Sequence, residues 1–132
     1  MQIDVPISLG ELLDKISILI IKEEKIKEKY KLNLVKVELD LLRKNLSMII
    51  EIYSDNKDKI FSHIENLKEV NSKLWNIEDQ IRDCERKNIF DKKFIELARS
   101  VYFSNDKRSE IKKEINIEFG SKIVEVKSYE DY

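Results

Sequence analysis

The sequence predicts an all-α bundle of about four amphipathic helices, and three observations carry that prediction. Only two Gly and one Pro interrupt 132 residues. The chain is 42% apolar and 39% charged, and it is rich in Leu, Ile, Glu and Lys, which favour long helices over strands and turns. Its apolar residues recur at alternating spacings of three and four along most of the length, the period of a helix with one buried face.

The elements follow in order. Ile3, Val5 and Ile7 alternate with Gln2, Asp4 and Pro6, so the chain begins extended. Ser8 then offers a hydroxyl N-cap and Glu11 completes a Ser-x-x-Glu capping box. Helix 1 is expected from Leu9 to about Tyr30. Leu9, Leu12, Leu13, Ile16, Leu19 and Ile20 form its main face, which Ile18 and Ile21 widen. A helix apolar around so much of its circumference belongs at the centre of a bundle. Helix 2 has the clearest seam, Leu32, Val35, Leu39, Leu42, Leu46, Ile49 and Tyr53, the pattern of an antiparallel bundle or coiled coil. A second stripe of Leu34, Leu41, Met48 and Ile52 gives it two apolar faces, and a homodimer is one way to cover the second.

Ser54-Asp55-Asn56 ends helix 2 and caps helix 3, expected from about Lys57 to Lys87 with Asn88 as its stop. The helix 3 seam runs Ile60, Ile64, Leu67, Val70, Leu74, Ile77, Ile81 and Cys84. Helix 4 starts near Asp91 and turns Phe94, Leu97, Ala98 and Val101 inward. Its apolar rhythm fails at Ser104, Asn105 and Arg108 and resumes at Ile111, Ile115 and Phe119, with Gly120 as C′ residue. Either the helix breaks near Ser104-Asn105-Asp106, or it continues with polar groups facing inward. Residues Lys122 to Lys127 are rich in β-branched side chains, and they are expected to be extended and able to pair with the N-terminal segment as a two-stranded ribbon. No linker, repeat or low-complexity tract divides the chain, so residues 1–132 read as one domain.

Several function classes are disfavoured. Twenty-five basic residues nearly balance twenty-six acidic ones, for a formal charge of −1, whereas nucleic-acid binding needs a net basic surface. No apolar run approaches a membrane span, and Met1-Gln2-Ile3-Asp4 lacks the basic start of a signal peptide; a cytoplasmic location is expected. Cys84 is the only cysteine and His63 the only histidine, so neither a disulfide nor a tight structural zinc site is expected. Cys84 reads as a small core residue and His63 as a core-edge residue with no evident partner. No glycine-rich phosphate loop exists, and no cofactor or metal is expected.

The arginines are the informative residues. Twenty of the twenty-five basic residues are Lys, and four of the five Arg (Arg82, Arg86, Arg99, Arg108) fall within 27 residues. The planar Arg fork binds carboxylate or phosphate in a bidentate way that Lys cannot reproduce. Trp75, Glu78, Arg82 and Glu85 follow one side of helix 3, with Asp79 adjacent. On helix 4, Arg99, Tyr102, Asp106 and Ser109 occupy successive turns beside Asn105, Arg108 and Lys112. Facing helices would join these rows into a mixed-charge cleft with an aromatic wall. The candidate ligand- or partner-binding residues are therefore Trp75, Glu78, Asp79, Arg82, Arg99, Tyr102, Asn105, Asp106 and Arg108, with an anionic small molecule or a protein as partner. The plainer reading of the same residues is an ion-pair network, Glu78 with Arg82 and Glu85 or Asp79 with Arg99, and exposed pairs of that kind contribute little stability. Helix 1 places Asp14, Lys15, Ser17 and Lys22 beside an apolar surface; Lys15 and Lys22 could enter the same cleft but read better as solvated lysines.

The string Ile7-Ser8-Leu9-Gly10-Glu11-Leu12-Leu13-Asp14-Lys15 with Ile21-Lys22 resembles the start of a short, uncharacterised bacterial family. Leu74-Trp75-Asn76-Ile77-Glu78-Asp79 with Ile81-Arg82, Leu97-Ala98-Arg99-Ser100-Val101-Tyr102, Asn105-Asp106-Lys107-Arg108 and Glu125-Val126-Lys127-Ser128-Tyr129 are similar to the same family. The resemblance covers most of the chain outside helix 2. It implies an accessory protein encoded among glycosyltransferases for surface polysaccharide, with no assigned reaction. The architecture is also similar to the small helical chorismate mutases, which would give Arg82, Arg99, Arg108 and Lys15 the role of clamping two carboxylates in electrostatic catalysis. The cation spacing along helix 1 departs from that family's pattern. The leading expectation is an accessory or binding module, with a helical enzyme for an anionic metabolite or a self-association module as alternatives.

Overall fold

Ser8 starts the first helix: its hydroxyl accepts the Glu11 N–H at 3.1 Å, the N-cap bond its position predicts. The Glu11 carboxylate does not turn back to complete the capping box but reaches Lys112 at 2.7 Å. In the computed structural model, which describes residues 1–132, α1 spans Leu9–Lys25, α2 Lys29–Ile52, α3 Lys57–Lys87 and α4 Lys92–Glu118, with a single 3₁₀ turn at Ser54–Asn56 between α2 and α3. The all-α bundle is thus observed, and none of its helices is long and apolar enough to cross a membrane.

Two boundaries differ from expectation. α1 ends at Lys25 rather than near Tyr30, because Ile26 leaves the helix in an extended conformation while its side chain packs against the core. No Gly or Pro marks that stop; the turn there sends α2 back along α1. The expected terminal ribbon does not form, as residues 1–7 and 122–132 carry no strand. The C-terminal segment is instead held along α4. Ser54-Asp55-Asn56 does end α2, but Asn56 at the start of α3 makes no side-chain capping bond. The other end signals act as read. Asp91 caps α4 by accepting the Phe94 N–H at 3.1 Å. Asn88 takes a left-handed φ of 53° and the Ile89 N–H closes onto the Cys84 carbonyl at 3.0 Å, the Schellman geometry in which Asn substitutes for Gly. Gly120, at φ 64°, ends α4 in the same manner, with the Ser121 N–H on the Asn116 carbonyl at 2.8 Å.

α1 is the central helix and touches α2, α3 and α4. Leu12, Leu13, Ile16 and Leu19 meet Val35, Leu39 and Leu46 of α2, Ile60, Ile64 and Leu67 of α3, and Ile111 and Ile115 of α4 in one buried cluster. Each such side chain stabilises the fold by about 1.5–3 kcal/mol when fully buried. α4 runs unbroken through Ser104-Asn105-Asp106; of the residues that interrupt its rhythm, Ser104 is buried and Asn105 and Arg108 are half-buried, and Lys112 and Asn116 further along are buried as well. Asn116 has a specific task, since its side-chain oxygen accepts the Gly10 N–H at 2.8 Å, one of the amides that a helix start leaves unpaired. α1 and α4 come so close here that a Cβ on Gly10 would lie 2.6 Å from the Lys112 carbonyl oxygen and 2.8 Å from Asn116 Oδ1.

Lys112 also anchors the C-terminal segment, its ammonium 3.1 Å from Glu125. Burial pushes the Lys112 pKa down, but the bonds to Glu11 and Glu125 more than offset this and hold it above the ordinary lysine value. The bond to Lys112 in turn keeps Glu125 below the usual carboxylate range. Further along, the Tyr132 hydroxyl bonds to Asp106 and its ring meets those of Tyr102 and Phe103 at 5.4 and 5.1 Å. Cys84, expected in the core, is only half-buried.

Two outcomes follow from this packing. Gly10→Ala is expected to destabilise the fold by about 1–3 kcal/mol in urea denaturation, the cost of forcing backbone apart in a filled core. Because the Glu125 pKa is lowered by docking, its contribution is present above the ordinary carboxylate pKa and lost as pH falls through the lowered folded value. Release of residues 122–132 from α4 is therefore expected at acid pH, read as a drop in the heteronuclear NOE of that segment's amides, and Glu125→Gln is expected to release it already at neutral pH.

Candidate functional site

Asp14 is completely buried on α1, where a carboxylate is costly unless its charge and lone pairs are matched. Arg108 of α4 matches them with a two-toothed contact, Nε to Oδ1 at 2.8 Å and Nη2 to Oδ2 at 2.5 Å. Asn71 of α3 donates its amide to Asp14 Oδ1 and to Ser17 Oγ, both at 2.9 Å. Ser17 in turn donates to the Asp14 backbone carbonyl at 2.7 Å. No buried side-chain polar atom is left without a partner. The bonds to Asp14 raise the Arg108 pKa further, outweighing burial, so the guanidinium is always charged.

This network floors a cleft of about 460 Å³ among three helices. Ile18 and Ile21 of α1 and Leu74 and Trp75 of α3 give it an apolar side. Glu78, Asp79 and Arg82 of α3 and Asn105 and Arg108 of α4 give it a polar one. Arg108 remains 28% exposed. Two of its five N–H groups are used on Asp14, so three are left. Arg82 is exposed and only loosely paired with Glu78 at 3.7 Å, an interaction of little energetic weight. The cleft thus combines one indole, two carboxylates at its rim, two amides and two guanidiniums over a neutralised floor.

Six of the nine candidate residues (Trp75, Glu78, Asp79, Arg82, Asn105 and Arg108) come together in this cleft. Tyr102 and Asp106 contact Tyr132 instead, in a neighbouring depression between α4 and the C-terminal segment that Asn105 also borders. Arg99 lines neither: its guanidinium lies 5.8 Å from the Phe103 ring centre, and the expected pair with Glu85 or Asp79 does not form. Lys15 is exposed and Lys22 half-buried, neither of them lining the cleft. His63 does have a partner, Glu118 at 2.9 Å, which also pairs with Lys59. No group of three His, Cys, Asp or Glu is placed to hold a metal ion. Sequence reasoning missed Asn71, and it noted Asp14 and Ser17 beside an apolar surface without assigning them to the site. Their signal was present as polar residues inside apolar faces, Asp14 after Leu13 and Asn71 after Val70.

Arg108→Met leaves the Asp14 carboxylate buried with only an amide for company, and is expected to cost about 3–5 kcal/mol. Asp14→Leu combined with Arg108→Met removes both charges and is expected to recover most of that loss in the same denaturation assay.

Neither a curated protein nor a solved structure matches the chain. A family model does, over residues 3–132, and its description is that of a family of unknown function, DUF6165. With nearly its whole length matched, this helical chain belongs to that family of unknown function.

Proposed function

We propose that the chain is an accessory binding module whose cleft takes a small anionic, hydroxyl-rich molecule of the sugar-phosphate class, in the setting of surface-polysaccharide biosynthesis. The observation that carries this reading is the convergence of Trp75, Arg82, Asn105 and Arg108 above the buried Asp14 carboxylate. An indole face stacks on the apolar face of a sugar ring. The free N–H groups of Arg108 and the Arg82 fork suit a phosphate or carboxylate, while Glu78, Asp79 and Asn105 accept and donate to hydroxyls. A buried ion pair is weak as a source of stability, because apolar residues of similar volume often serve as well. Its retention under an open cleft is better accounted for by the fixed position it gives Arg108. The polysaccharide setting rests on the resemblance of the α1, α3 and α4 strings to accessory proteins of that process.

A catalytic reading is less favoured by the geometry. A clamp of Arg82, Arg99, Arg108 and Lys15 would need four cations around one substrate, and Arg99 and Lys15 stand outside the cleft. Arg108 is moreover half committed to Asp14.

Trp75 is the only tryptophan, so its fluorescence reports occupancy of the cleft alone. Titration with sugar phosphates and nucleotide sugars is expected to shift or quench that emission. A ligand at roughly a hundred times its dissociation constant should also stabilise the fold by about 2.7 kcal/mol. Arg82→Met is the appropriate control, since Arg82 is exposed and outside the buried network; it is expected to abolish the response and leave the melting temperature unchanged. A flat titration across the panel would reject the small-molecule reading and direct attention to a protein partner.

A further inference from the structure

The fold leaves one long helix face uncovered. α2 packs on α1 and on the 3₁₀ turn, and its opposite side carries Tyr30, Leu34, Val37, Leu41, Met48 and Ile52, which are 39 to 75% exposed. At 1.5 Å per residue this stripe is about 33 Å long. Single exposed apolar residues need no explanation, but a continuous stripe marks an interface. With Asn45 included, the spacings read 4, 3, 4, 4, 3, 4 and are the same in both directions from Leu41. Each half is an eleven-residue repeat of about 3.67 residues per turn, so the stripe runs almost straight along the helix.

We infer that this face binds a second copy of the chain, with the two α2 helices antiparallel across a two-fold axis at Leu41. The symmetry of the spacing is what such an axis requires: Leu41 meets Leu41 of the second copy, Leu34 lies by Met48 and Tyr30 by Ile52. The charges select the antiparallel direction. Residues 24–35 hold four lysines against two glutamates, whereas residues 47–58, which face them across the axis, hold Glu51, Asp55 and Asp58 against Lys57. The first end is net +2 and the second net −2, so antiparallel packing sets opposite ends side by side and parallel packing sets like ends together. Near the axis, Asp40 and Lys44 share one flank, and the two-fold brings Asp40 of each copy to Lys44 of the other.

A second feature points the same way. α2 has no acidic residue in its first turn and no basic residue in its last, with Lys29 and Lys31 at the start and Glu51 at the end. Glu28 at the N-cap favours the helix's own dipole, but these three charges oppose it, so they do not serve the isolated helix. An antiparallel neighbour places the acidic end of each helix by the basic, dipole-positive start of the other. The Lys31–Glu28 pair within one chain is exposed on both sides and competes weakly with such an arrangement.

Sedimentation equilibrium of the full chain is expected to give a dimer that dissociates on dilution. Leu41→Lys, which places two ammonium groups at the axis, is expected to weaken association at least about 30-fold, the effect of losing a central hot spot. Its thermal unfolding should remain that of a folded helical protein, since Leu41 lies outside the core cluster. Direction is read by oxidation in a Cys84→Ser background. Leu41→Cys is expected to cross-link to itself, and a mixture of Leu34→Cys and Met48→Cys to form the mixed disulfide. Leu34→Cys alone is expected not to cross-link, its two copies being about 21 Å apart along the axis. A wild-type chain that stays monomeric at every concentration overturns the inference. So does a Leu41→Lys variant that dimerises normally, and so does a Leu34→Cys variant that cross-links to itself, as parallel helices would.

Discussion

A single buried carboxylate sets the terms for the rest of the molecule. Asp14 sits without solvent contact on the helix that touches all the others, and its charge is tolerable only if cationic and polar partners arrive from elsewhere. Arg108 brings α4 and Asn71 brings α3. Apolar contacts among the three helices are non-directional and would accept small rotations and slides. The fork of Arg108 accepts neither, because both of its teeth must meet the same carboxylate. The Asn116–Gly10 bond pins α1 to α4 a second time, about a turn from Asp14. Two directional anchors on a greasy interface fix the register of helices that hydrophobicity alone would leave loose.

The cleft is a by-product of that register. α1 is the shortest helix, 17 residues against 31 and 27 for α3 and α4, so the longer pair projects beyond it. Where the three diverge, Trp75 and Ile18 remain partly uncovered and the outer edge of Arg108 faces outward. The floor is rigid because every buried side-chain polar atom in it has a partner, and the rim is adaptable because Glu78, Asp79 and Arg82 are exposed. A rigid floor with a flexible rim is a sound arrangement for binding, since the group that must be placed most accurately carries the least disorder cost.

The sequence was most legible where the physics is local. The Ser8 cap, the Asn88 and Gly120 stops and the α2 and α3 seams each depend on residues within a few positions, and all appear where periodicity places them. The end of α1 was not legible, because Ile26 leaves the helix to pack on the core and no breaker residue announces it. The ribbon expected from β-branched residues at both ends lost to Lys112 and the α4 aromatics, which hold the C-terminal segment elsewhere. For the site, the side of α3 with Trp75, Glu78 and Arg82 could be read from spacing and Arg usage. The choice of Asp14 as the partner of Arg108 could not: ninety-four residues separate them, and twenty-six acidic residues compete.

The same long separations bear on how the chain reaches this structure. The contacts that bring α4 onto α1, Gly10 with Asn116, Asp14 with Arg108 and Glu11 with Lys112, join residues near the two ends of the chain. The α1–α2 and α3–α4 pairs are hairpins that close short loops and form from neighbours. Closing the whole chain carries the largest entropic cost of any step, and non-local contacts of this kind slow folding. Docking of the second hairpin onto the first is thus the step in which the Asp14 charge leaves water, and it can do so only as Arg108 arrives. Until then α1 has no reason to shed solvent on that side, so the order of assembly is written into where the charge pair lies along the chain.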